Sequence, residues 1–188
     1  MNTQNDNFVG GDLVGGSKTE HNYNFPPSLS LGNSELSQLY IKLKHGDPSQ
    51  DTTGGFCEKL QHYLTSATDG DVRGLEVKLR ESGRIDQLQH ATAMKESAFK
   101  AIMRRQTSGT AQRIFTIVLD ELHTNFMLTA TPIIQNEAGR AAVDQAILKV
   151  INDTKSILGE NLLEITVKDL LSLIYFLGGN CHLRWDKC

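Results

Sequence analysis

The chain has 188 residues, 39% of them hydrophobic and 22% charged, with a formal net charge of -3, a length that suits one domain with an appendage. These values exclude a collagen, a disulfide scaffold, a wholly disordered chain and a strongly basic nucleic-acid binder. No run approaches the roughly 20 consecutive apolar residues that span a bilayer. The start, Met1-Asn2-Thr3-Gln4-Asn5-Asp6, lacks the regions of a secretory signal. The cysteines Cys57, Cys181 and Cys188 fall in no framework spacing, so reduced thiols in a cytoplasm are expected.

Residues 1–55 differ from the rest. They hold 8 of the 16 glycines, 3 of the 4 prolines, no arginine, and 3 lysines against 6 acidic residues, so the -3 belongs to them. Phe8-Val9-Gly10-Gly11-Asp12 is followed directly by Leu13-Val14-Gly15-Gly16-Ser17. An apolar pair before Gly-Gly and a small polar residue predicts a short extended piece and a tight turn, used twice. Two such units bury no core of their own. They read either as an arm that pairs with other copies or a partner, or as a glycine-rich tail. The repeat favours an arm over residues 1–30, with short β strands and with Phe8 to Gly16 as the oligomerisation segment. Residues 31–188 then form a helical interaction domain.

That domain predicts an all-α bundle, read from the 3.6-residue spacing of its apolar side chains. Leu36, Leu39, Tyr40 and Leu43 form a first stripe that stops at His45-Gly46, and Asp47 to Gly55 is a loop. Phe56, Leu60, Tyr63 and Leu64 fall at helical spacing before a polar break, Thr65 to Gly70. Val72, Leu75 and Leu79 give a short helix ending at Gly83. Leu88, Ala91, Met94, Ala98, Ile102 and Met103 trace a longer one up to Thr107-Ser108-Gly109. Ile114, Val118, Leu122 and Phe126 continue until Pro132, where a break is expected. Ala142, Ala146, Ile147, Val150, Ile151 and Leu158 form the next stripe. Thr166-x-x-Asp169 resembles a capping box. It opens Leu170-Leu171-Ser172-Leu173-Ile174-Tyr175-Phe176-Leu177, which Gly178-Gly179 is expected to halt. A run apolar nearly all round is expected to be the buried central helix.

Catalytic patterns are sparse. There is no phosphate-binding Gly-x-x-x-x-Gly-Lys, no His-Glu-x-x-His, no Gly-x-Ser-x-Gly and no Cys-x-x-Cys. No catalytic residue, metal or cofactor is expected. Asp120-Glu121-Leu122-His123 places a carboxylate and an imidazole at i and i+3, but a di-metal bundle needs a second such pair, so a solvated face is expected. Arg84 and His90 have the Arg-x(4–6)-His spacing of HEPN ribonucleases, an alternative function in which they would hold a phosphate and move a proton. Lys95, Lys100, Arg104, Arg105 and Arg113 raise a further alternative, a nucleic-acid-binding adaptor, which the neutral charge of residues 56–188 disfavours. The tail Gly178 to Cys188 holds two cysteines and the lone tryptophan. Adjacent ligands and a missing fourth argue against zinc there. Trp and Arg anchor interfaces, so His182, Arg184 and Trp185 are expected to bind a partner, although Cys181 and Trp185 can also pack back onto the bundle.

From about Phe56 onward the chain resembles the C-terminal domain of bacterial ABC-three component systems. The resemblance rests on Ile165-Thr166-Val167-Lys168-Asp169-Leu170-Leu171, on Leu173-Ile174-Tyr175-Phe176-Leu177, and on Gly179-Asn180-Cys181-His182-Leu183-Arg184-Trp185. The stretch Arg140 to Leu158 fits in pattern. Val9-Gly10-Gly11-Asp12 and Val14-Gly15-Gly16-Ser17 look like the Gly-Gly-Asp repeats of bacterial conflict proteins, with Ser17 in place of an aspartate. The resemblance implies a subunit of an anti-phage or anti-plasmid system in which an ABC ATPase and a middle component act with an effector. Only the arm and one short helix precede residue 56. The expected role is therefore a non-enzymatic adaptor that docks onto the ATPase, middle component or effector and self-associates through its arm, without membrane contact and with nucleic acid reached only through the complex.

Overall fold

A computed structural model of the chain describes residues 31–46, 55–67 and 73–185. The calls on residues 1–30, including Phe8 to Gly16, lie outside the described residues, as does Cys188. Helix α1 spans Leu31–Lys44, α2 Glu58–Leu64, α3 Leu75–Glu81 and α4 Leu88–Met103. They are followed by α5 (Gly109–Asn125), α6 (Thr131–Gln135), α7 (Arg140–Ile157) and α8 (Val167–Gly179). No strand occurs among the described residues, and the all-α expectation holds.

Local chemistry sets several boundaries. The Ser108 hydroxyl caps α5 by accepting from the Ala111 N–H at 3.2 Å, satisfying one of the orphan donors of a helix start. At Thr166 the capping box is complete. Its hydroxyl accepts from the Asp169 N–H, and the Asp169 carboxylate accepts from the Thr166 N–H at 2.9 Å, so aspartate serves where Glu or Gln is usual. Gly83 ends the α3 region at φ +68°, a conformation that costs glycine little. From there a single 3-10 turn, Ile85–Gln87, feeds α4.

The break expected at Pro132 does not occur. The helix widens through a π turn, Phe126–Ala130, in which the Thr131 N–H reaches back to the Phe126 carbonyl, and it continues as α6 with Pro132 in the first turn. Proline has no N–H to give and its ring crowds the turn before it. A wider turn relieves both conflicts. Phe126 and Ala130 remain fully buried, while Leu128 is 74% exposed.

The core surrounds α8. Leu170, Ile174, Phe176 and Leu177 of α8 are at most 1% exposed, and α4 lies along this helix with Ala91, Met94, Ala98 and Ile102 turned inward. Helices α5 and α7 add Val118, Leu119, Leu122, Val143, Val150 and Ile151. The continuous apolar run of α8 thus marks a helix covered on most sides. Helix α1 stands apart: Leu36, Leu39 and Tyr40 form a separate cluster with Ile114 of α5. Arg113–Glu35 (2.7 Å) and Lys44–Glu160 (2.8 Å) tie its two ends down. Among the described residues, no helix is long and apolar enough to cross a membrane.

Candidate functional site

Helix α8 runs through both glycines instead of halting at them. Its end is a Schellman turn: the His182 N–H donates to the Leu177 carbonyl (2.9 Å) and the Cys181 N–H to the Gly178 carbonyl (3.3 Å). The left-handed residue such a turn needs is Cys181, at φ +65°, where glycine is usual. The glycine at 178 has another cause. A Cβ there would lie 2.1 Å from the Trp185 ring, so only glycine admits the indole.

Every residue from Gly178 to Trp185 is at most half-exposed, and most carry a bond to another segment. Asn180, 8% exposed, donates from Nδ2 to the Tyr63 carbonyl (3.0 Å) and accepts at its own carbonyl from the Ala67 N–H (3.0 Å). The Cys181 thiol donates to the Arg73 carbonyl at 3.4 Å. His182 Nε2 lies 3.1 Å from the Thr65 carbonyl. Lys78 of α3 is 1% exposed, and its Nζ donates to the carbonyls of Gly178 (2.7 Å) and Leu183 (2.9 Å). A cation at that end also opposes the negative pole of the α8 dipole.

Trp185 corrects an expectation. It is 4% exposed and meets Phe126 edge-on at 5.9 Å and Tyr175 at 5.5 Å. Most of its large apolar surface is therefore core, and what remains open lines two shallow recesses. Packing back onto the bundle, the other expectation for Trp185, is what the structure contains. His182 and Arg184 are half-buried.

Around Tyr63 the structure assembles a cluster that no local pattern announces. The His182 ring lies 5.0 Å from His62 and 5.3 Å from Tyr63, and His123 lies 6.3 Å from Tyr63. The Tyr63 hydroxyl donates to Asp120 at 2.7 Å. Asp120 and His123, expected on a solvated face, therefore belong to this contact. Burial, and then the bond to Asp120, push the Tyr63 phenol far above its ordinary range. Burial lowers the proton affinity of His123 and His182, and the imidazole of His62 adds to the lowering at both. Among the described residues, no group of three or more His, Cys, Asp or Glu is arranged to hold a metal.

Arg84 and His90 are not brought together as a ribonuclease pair requires. Arg84 is 4% exposed and bonds Asp144 at 2.7 Å as well as the Ser82 and Arg140 carbonyls, whereas His90 is exposed on α4. Arg140 crosses back to Asp86, donating to both carboxylate oxygens at 3.0 Å, and this holds Asp86 below the usual carboxylate range. The basic series is likewise dispersed. Lys100 pairs with Glu96 at 3.7 Å, Arg113 holds α1, and Lys95 is half-buried.

Two recesses flank the Arg84–Asp144 bridge and share Trp185 in their walls. One, of about 240 Å³, has Glu81, Glu137 and Arg140 at its rim. The other, of about 210 Å³, is more apolar, with Ile147, Leu148, Ile151, Leu171 and Tyr175. Leu148 is 54% exposed beside it. The sequence offers no sign of either, because their walls come from α3, α7, α8 and the tail.

A family model for C-terminal domain 9 of the ABC-three component (ABC-3C) systems matches residues 74–185, from the residue before α3 to the buried Trp185. No curated protein and no solved structure matches the chain.

Proposed function

Since the chain belongs to the C-terminal domain 9 family of the ABC-three component systems, we propose that it is a non-enzymatic interaction subunit of such a defence system. It docks onto the ABC ATPase or the middle component, and residues 1–30 promote self-association. The observation that carries this reading is the inward use of the polar side chains best suited to chemistry. Arg84, Lys78 and Asn180 are each buried and bonded within the fold. What faces outward beside Trp185 is Leu148 over an apolar recess, with Arg140 at the neighbouring one.

Coexpression with the neighbouring ATPase and middle component tests the docking face. Leu148→Glu and Arg184→Glu should reduce copurification at least tenfold while leaving thermal melting within a few degrees of wild type. Undiminished copurification of both variants overturns the docking face. RNA cleavage by the purified chain that is lost in His90→Ala would instead favour the ribonuclease. For the arm, deletion of residues 1–30 should lower the mass measured in solution, and an unchanged mass removes the self-association.

A further inference from the structure

We propose that the imidazoles of His123 and His182, with the His62 ring packed beside them, form a proton-sensitive latch, closed when those two are neutral, that holds residues 180–182 against residues 63–67. Each side of the contact comes from a different part of the chain. His62 and Tyr63 come from α2, Asp120 and His123 from α5, and His182 from the segment after α8. Three backbone-directed bonds close the latch: Asn180 Nδ2 to the Tyr63 carbonyl, the Ala67 N–H to the Asn180 carbonyl, and His182 Nε2 at the Thr65 carbonyl.

One N–H suffices for His182 to serve Thr65. A second proton adds a charge to a half-buried ring whose neighbour is another imidazole at 5.0 Å, and burial outweighs the backbone bonds at Thr65 and Tyr63 that favour it. His123 is half-buried as well, and burial outweighs the His182 backbone bond and the Asp120 carboxylate that favour its proton. Both rings bind protons more weakly in the closed state than the value of about 6.5 for a free histidine. The sign follows. Above about pH 6.5 both states are neutral and closure is complete. As pH falls below that value, the open state takes up protons first and closure is lost, until the lowered values of the closed state are passed.

Amide hydrogen exchange of the full-length protein between pH 7.5 and 5.5, corrected for intrinsic rates, tests this. The opening constant at the Ala67 N–H should rise by up to about tenfold per pH unit for each imidazole below pH 6.5, with Ile174 in α8 holding its protection. His62→Gln changes an exposed side chain and should flatten the dependence at Ala67, because the remaining rings lose a repelling neighbour. Three outcomes would overturn the latch: Ala67 protection that is flat with pH, loss at Ala67 and Ile174 in step, or an undiminished dependence in His62→Gln.

Discussion

A methyl group at position 178 would sit inside the van der Waals envelope of Trp185, 2.1 Å from its nearest ring carbon. The indole packs against Phe126 and Tyr175 and would have to leave those contacts to admit the methyl. Gly178→Ala should therefore destabilise by roughly 1–3 kcal/mol, the usual cost of overpacking a filled core, despite the better helix propensity of alanine. Chemical denaturation of the variant checks this, and a neutral result would mean that Trp185 can swing out. In sequence Gly178-Gly179 predicts a helix stop, because glycine pairs usually punctuate. Whether a glycine serves a turn or a close approach depends on what lies over it. Here that is a residue seven positions on, reached only after the chain has reversed. Cys181, the residue that does take the left-handed turn, carries no such signal at all.

Among the elements, those with a clean apolar stripe were legible. Most residues at 3.6-residue spacing in α4, α5 and α7 are buried, although Ala142 is exposed and Val143 faces the core in its place, and the all-apolar run of α8 is the helix at the centre. The 3-10 and π turns were not legible, since each is a compromise between neighbouring constraints. The end of α8 shows how an element depends on another. Beside its backbone bond from Cys181, the Gly178 carbonyl accepts from Lys78 of α3, which also serves the Leu183 carbonyl after the turn. Lys78→Met keeps the length and loses the donor, leaving two buried carbonyls short of a bond. A loss of roughly 1–3 kcal/mol is expected, the cost of the unsatisfied Leu183 carbonyl, measured as a shift of the unfolding midpoint with secondary structure retained. A variant as stable as wild type would show that water replaces the ammonium.

At the scale of the molecule, the family match from residue 74 to 185 covers the helices around α8. Helices α1 and α2 attach at the flank, one through its own apolar cluster and the other through α5 and the tail. The candidate site was less legible than the fold for a physical reason. His62, His123 and His182 lie on three separate segments, and the walls of the recesses beside Trp185 come from four, so no window of sequence contains either. The π turn has a consequence for length. A wide turn stores one residue more than a regular one, so the helix can lose a residue there and keep Ile134 facing the core, whereas a deletion within α5 or α7 would rotate everything after it by roughly 100°. Removing the exposed Leu128 alone would set the Pro132 ring against a regular turn, at a cost of about 3 kcal/mol. Removing it together with Pro132→Ala should restore most of that stability in a thermal melt. Residues 126–130 are thus the place where this helix can change its length by one, provided that the proline changes with it.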